Sequence, residues 1–287
     1  MGKREALLGI AVGRKGVGKT YATLQLIQQY LTGNSETGAQ PRKVLMLDVN
    51  NEFLDVKKDQ NESFQHVKAI HLDDIRKFTL SNKVEARRVS VMKPEGGKMN
   101  LVEIAEALAH ILDNYQNGLL LIEDINKFVS DSLPNDLVGS IVTQRHVSVD
   151  VITHFQSIGK AAHPKLWANC NWLRYHQCDD NVERHKSKFG GNIEHLYLLE
   201  KMVDIEYQKG NKRFFAYLNK DDGVLQGEFS KKQFQYAVYQ YLQDNYNKVV
   251  KPLLNKKDLM SGKPIYDSHK DLSVKIIKEY TEKYYGN

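Results

Sequence analysis

Three observations predict an α/β fold with a mostly parallel sheet for this 287-residue chain. Short apolar runs alternate with helical stretches over the first 180 residues. The first of these runs leads directly into a glycine-rich loop, GRKGVGKT at residues 13–20, which opens a helix. Further along, LLLIED carries an uninterrupted apolar run onto two carboxylates.

The elements follow in order from pattern and punctuation. ALLGIAVG is the first strand, the glycine loop follows, and TYATLQLIQQYL is a helix. SETGAQPRK is rich in turn formers and reads as a surface loop. VLMLDVN is a second strand that ends at Asp48. VKAIHL and RRVSVM read as further strands around a short helix, DDIRKFTL. In MNLVEIAEALAHILDNY, Leu101, Ile104, Ala105, Leu108, Ile111, Leu112 and Tyr115 share one helical face. NGLLLIED is a buried strand and PNDLVGSIVTQRH a helix with proline near its start. VSVDVITHF is another strand, and NWLRYHQC the last strand of the main sheet.

After Asp179 the texture changes. NIEHLYLLEKMVDIEYQKG reads as helix and KRFFAYLNKDDGVLQGEF as a β-hairpin turning at Asp-Asp-Gly. An amphipathic helix opens at Ser230. The expected division is a core over 1–180, a helix–hairpin–helix segment over 181–245 completing the domain, and a basic, helical or partly disordered tail over 246–287.

Composition bounds the class. Hydrophobic residues at 41% and charged residues at 26% are the balance of a soluble globular protein. No run approaches the roughly 18–20 apolar residues of a membrane span. MGKREALLGIAVG has a basic start and an apolar run, but that run enters the glycine loop, so it reads as a strand and not a signal peptide. A cytoplasmic location is expected. Two cysteines, Cys170 and Cys178, make no disulfide framework, and with His163 and His176 they match no trusted zinc spacing. Net charge is +6, and residues 231–287 supply most of it with 11 lysines against 6 acidic residues. That tail is either a solvated surface or a contact for a polyanion.

The chemistry starts at the loop. Gly13-x4-Gly18-Lys19-Thr20 has the phosphate-loop pattern. Glycines let successive N–H groups turn onto a β-phosphate, and the following helix adds its positive end. Gly13, Arg14, Lys15, Gly16, Val17, Gly18, Lys19, Thr20 and Tyr21 are the expected nucleotide contacts. Lys19 would neutralise the β and γ oxygens of ATP, and Thr20 would ligate Mg²⁺. Glu123 and Asp124 end a Walker B strand, where carboxylates complete the metal shell and polarise water. Glu123 joins Thr20 as an expected metal ligand. Asp48 and Glu52 close the second strand, and Glu52 is expected near the γ-phosphate. His154 ends its strand where a polar group could sense that phosphate, whereas Asp150 begins the same strand at the wrong edge.

These residues resemble the HerA–FtsK superfamily of P-loop ATPases, which includes DNA translocases, viral packaging ATPases and the Zot-like ATPases of filamentous phages. GRKGVGKT, LDVNNEF and RHVSVDVITHFQS carry the likeness, which spans about residues 5–180. The hairpin and helix at 213–245 are similar to C-terminal elements of small phage members. Two departures stand out: the Walker B pair is Glu-Asp instead of Asp-Glu, and His154 stands where glutamine is usual. The resemblance implies a RecA-like core with the Walker B strand beside the phosphate-loop strand. It also implies an oligomeric ring, often a hexamer, with an arginine reaching a neighbour's nucleotide. Arg145, Arg174 and Arg184 are the candidates, with Arg145 and Arg174 favoured.

The reading that follows is an ATPase moving or packaging DNA for a phage or mobile element, with other packaging or transfer proteins as possible partners. Its catalytic set is Lys19, Glu123, Asp124, Glu52, His154 and Arg145. The alternatives are a GTP- or ATP-dependent switch and an assembly protein with structural nucleotide. Asn255-Lys-Lys-Asp258 matches the guanine-reading tetrad of GTPases. It lies more than 230 residues beyond the loop, and LIEDIN lacks the Asp-x-x-Gly of a GTPase switch.

Overall fold

The structure is a computed structural model that describes residues 5–57, 64–93, 95–125, 135–190, 193–257, 262, 264–266 and 268–286. The chain forms two compact units. The first comprises Met1–Asn171 with Cys178–Asp180, and the second Trp172–Gln177 with Asn181–Asn287.

The first unit begins with β1 (Leu8–Val12), α1 (Lys19–Thr32) and β2 (Lys43–Asp48). The short β3 (Asp55–Lys57), β4 (Phe64–His66) and β5 (Lys68–Ala69) follow, then α2 (Ile75–Leu80) and β6 (Ala86–Ser90). Next come α3 (Leu101–Asn114), β7 (Gly118–Ile122), α4 (Asn135–Thr143) and β8 (Asp150–Phe155), and the unit closes with α5 (Ile158–Ala161) and α6 (Pro164–Asn169). Its strands run β1-β8-β7-β2-β6-β5, and every neighbouring pair is parallel. β3 and β4 form a separate antiparallel pair. The predicted class, α/β with a mostly parallel sheet behind a phosphate loop, is the observed one.

Burial explains the order. β1, β2, β7 and β8 are buried at every residue, as strands covered on both faces must be. Their apolar runs therefore read as continuous and not as alternating. Parallel pairing places the ends of β1, β2, β7 and β8 at one edge, where the loops that follow them meet.

One topological expectation is corrected. The strand ending at Glu123 does not lie beside the phosphate-loop strand. β8 is inserted between them, pairing Leu8–Val12 on one side and Leu119–Ile122 on the other. Its six residues are all buried, which suits it to the middle of the sheet.

Smaller differences have local causes. VKAIHL yields only the two-residue β5, because both of its residues are exposed on an edge strand and a 3₁₀ turn begins at Leu72. Leu101, expected on the buried face of α3, is the first helical residue and is 57% exposed, while Ala107 joins that face. Asn100 caps α3, accepting from the backbone N–H groups of Val102 and Glu103 while Glu103 reaches back to the Asn100 N–H. Asp150, at the start of β8, accepts from Arg42 (2.5 Å), the Tyr30 hydroxyl (2.6 Å) and the Leu7 N–H (2.8 Å). It is a buried tie between β1, β8 and the start of β2.

The second unit contains β9 (Trp172–His176), a 3₁₀ helix over Val182–Lys188, α7 (Glu194–Gln208), β10 (Phe215–Asn219) and β11 (Val224–Gln226). α8 (Lys231–Asp244), α9 (Lys251–Leu254) and α10 (His269–Tyr284) follow. The segment expected as the last strand of the main sheet forms β9 and pairs antiparallel with β10, which in turn pairs with β11. The hairpin appears where Asp-Asp-Gly predicts it. α8 opens on a Ser230–Gln233 capping box. In the tail, α10 buries Leu272, Ile276 and Tyr284 and ends with the Tyr284 hydroxyl on Glu194 at 2.7 Å. Gly286 then donates its N–H to Leu225, so close to β11 that a Cβ there would lie 2.6 Å from Val224.

Candidate functional site

The site is built from the loops at the C-terminal ends of β1, β2, β7 and β8. After β1 the chain turns at Gly16 and Gly18, both with positive φ, and α1 starts at Lys19 with Gly18 as its N-cap. The exposed N–H groups of the first turn and the helix dipole make this an anion site. The Gly13 N–H donates to the Phe155 carbonyl at 3.2 Å, which ties the loop to the end of β8. Lys19 folds back, donating to the carbonyls of Gly13 and Arg14. Burial lowers its pKa, while Asp124, Cys178, Glu52 and Glu123 pull the other way.

β2 delivers the second component. Asp48, fully buried, accepts from the backbone N–H groups of Glu52 (2.9 Å) and Phe53 (3.3 Å) and so folds LDVNNEF into a turn. Asn51 holds φ 55 in that turn, and its side chain accepts from Arg88 at 2.9 Å. Arg88 also lies 3.5 Å from Asp48. The turn aims Glu52 at the loop helix, where it accepts from the Thr20 hydroxyl at 2.7 Å.

β7 delivers the third. Glu123 and Asp124 are buried, at 3% and 9% exposure, although both are carboxylates. Asp124 sits at φ 43, a left-handed conformation that aspartate tolerates better than most residues. Its carboxylate accepts from Asn50 (2.9 Å) and Gln156 (3.3 Å). Glu123 differs, because its Oε2 is buried without a donor. Burial first, then the carboxylates of Glu52, Asp48 and Asp124, push its pKa up to about 9. Burial also raises that of Asp48.

β8 delivers the last. His154 Nε2 lies 2.8 Å from the Thr23 hydroxyl, both fully buried, so the end of β8 grips the phosphate-loop helix. Asn50, Gln156 and Thr23 were missed at the sequence level. Each had a signal: Asn50 lies inside LDVNNEF, Gln156 follows His154 by two in VITHFQS, and Thr23 stands one helical turn after Thr20. Arg88 had none, since only the pairing of β2 with β6 brings it to the turn.

The structure thus gathers Lys19, Thr20, Glu52, Glu123, Asp124 and His154. Other predicted residues sit differently. Lys15 and Tyr21 are exposed, the latter at 57%, while Val17 is buried. Arg14 donates to Asp179 at 3.0 Å on the surface. Arg145 lies in a 3₁₀ turn over Gln144–Val147, and its side chain falls outside the described residues. Arg184 is exposed in the second unit. Arg174 is fully buried there beneath the Phe215 ring. Asp258 of the guanine-like tetrad lies outside the described residues.

A magnesium ion fits these residues. The Thr20 hydroxyl, the donorless Glu123 oxygen and a crowd of four carboxylates offer hard oxygen ligands and a charge that a divalent cation would balance. No group of three or more His, Cys, Asp and Glu among the described residues forms a metal cage. A magnesium ion shared with phosphates and water needs none. No helix among the described residues is long and apolar enough to cross a membrane.

No protein-family model matches the chain, and no curated protein matches it. Among solved structures, it is similar to the genome packaging NTPase B204 from Sulfolobus turreted icosahedral virus 2, in complex with ATP-gammaS. The identity is 12%, covering 78% of this chain and 97% of that one, with a TM-score of 0.47. The N-terminal domain of zonular occludens toxin from Neisseria meningitidis is similar at 13% identity, covering 61% and 79%, TM-score 0.33. The flagellar accessory protein FlaH from Methanocaldococcus jannaschii is similar at 11%, covering 61% and 72%, TM-score 0.33.

Proposed function

We propose that this chain is an ATP-hydrolysing motor of the HerA–FtsK type that moves or packages DNA for a phage or mobile element. One observation carries the reading. Glu52, Glu123 and Asp124 converge from two strand ends on Lys19 and Thr20 at one helix N-terminus. Binding alone needs the loop, and hydrolysis needs the acids beside it.

The inverted acid pair receives roles from its surroundings. Glu123 neighbours Glu52, and Glu52 holds Thr20, so Glu123 stands on the metal side. Thr20 and Glu123 would hold magnesium, which supplies charge stabilisation to the β and γ oxygens. Asp124, fixed by two amide donors, orients the attacking water. That water attacks the γ-phosphorus as the bond to the β–γ bridging oxygen breaks, leaving ADP and phosphate. Lys19 neutralises the departing charge, Glu52 braces Thr20, and His154 couples the helix to β8. Arg145 is the proposed arginine in trans within a ring.

Hydrolysis measured with and without duplex DNA, together with native mass measured with and without ATP, tests this. The expected result is a multimeric mass with ATP and a DNA-stimulated rate, both lost in Lys19→Ala. A stable monomer with DNA-indifferent hydrolysis would sink the motor, and a guanine preference would favour a switch.

A further inference from the structure

The second unit carries a surface that the nucleotide site does not use. On α8, Lys232, Tyr236 and Tyr239 fall at i, i+4 and i+7, one face of the helix. All three are exposed, the tyrosines at 47% and 42%. The opposite face is the core side, with Phe234, Ala237, Val238, Tyr241 and Leu242 buried. Both rings lie on the face of α8 turned away from its core and stay partly in water.

Positive charge frames these rings. Lys209, at the end of α7, places its ammonium 5.5 Å from the Tyr236 ring centroid, within cation–π range. Lys212 and Arg213 follow in the same exposed connection to β10. Two acids on α7 and α8 are paired with lysines. Glu206 is nearly buried and held by Lys209 at 2.8 Å, and Asp244 pairs with Lys201.

We infer that this face of α8, with the 209–213 connection, binds single-stranded nucleic acid. The chemistry decides the occupant. Lysine and arginine match a phosphate backbone, while two exposed rings one helical turn apart offer faces on which bases already out of a duplex can stack. Tyr236 and Tyr239 serve as stacking platforms, Lys212, Arg213 and Lys232 follow the backbone, and Lys209, paired with Glu206, lies over the Tyr236 ring. An acidic protein would also pack against tyrosines, and a polyglutamate control separates the two occupants. All of these residues belong to the second unit, whereas Lys19 and the site carboxylates belong to the first.

Fluorescence anisotropy with a labelled 20-nucleotide oligo(dT), at low salt and without ATP, tests the inference. The wild-type chain should bind it more tightly than a duplex of equal length. Tyr236→Ala with Tyr239→Ala should weaken binding by about tenfold or more. The double Phe variant, which keeps both rings, should bind like wild type. Lys232→Ala should flatten the dependence on log salt by about 0.7. Lys19→Ala should leave strand binding intact, so a failed motor and a failed platform give different results. Helicity by circular dichroism confirms that each variant is folded. Equal binding by the double Ala variant, preference for duplex, binding of polyglutamate in place of the oligonucleotide, or loss in Lys19→Ala would each overturn the inference.

Discussion

Glu123 shows how a single buried side chain links stability to chemistry. A carboxyl whose folded pKa is raised to about 9, against an ordinary 4.5, favours folding only while protonated. Its contribution is full below pH 4.5 and is lost as pH climbs through 9. Glu123→Gln should therefore raise the melting temperature at neutral and alkaline pH and flatten its pH dependence between 4.5 and 9, read by thermal scans without nucleotide. The same variant should lose magnesium-dependent hydrolysis. Gln156 belongs to the same scale. It donates to Asp124 from the end of β8, so Gln156→Ala should lower turnover by about tenfold or more while leaving nucleotide affinity near wild type, read as kcat against KM.

At the scale of elements, the strands were legible because those buried on both faces are continuous apolar runs, as in GLLLI and DVITHF. The order of those strands was not legible. Apolar runs say that a strand is buried and not which neighbour it takes, so the place of β8 had to come from pairing. The acids of the site were legible at strand ends, whereas their partners Asn50 and Gln156 are amides, which carry no charge signature. Asp150 marks the seam that orders these elements, accepting from Arg42, Tyr30 and the Leu7 backbone. Asp150→Ala leaves the Arg42 guanidinium without its carboxylate in a largely buried setting. A loss of about 3–5 kcal/mol is expected from urea unfolding. Asn100→Ala removes the cap of α3 at a cost of about 1 kcal/mol by the same measurement.

For the whole molecule, every proposed nucleotide contact lies in the first compact unit. Magnesium–ATP at a hundred times its Kd should stabilise that unit by about 2.7 kcal/mol. This corresponds to a melting shift of roughly 5–10 °C, absent in Lys19→Ala. The insertion of β8 gives this coupling its shape. One strand has β1 on one side and β7 on the other. At its end, His154 meets Thr23 of α1, the helix proposed to cradle phosphates, and Gln156 meets Asp124, the carboxylate proposed to orient water. A displacement of β8 by a fraction of an ångström would reach both contacts at once. Under the proposed mechanism, β8 is thus a gauge with two needles, and a mechanical load on it is expected to register as a change in hydrolysis.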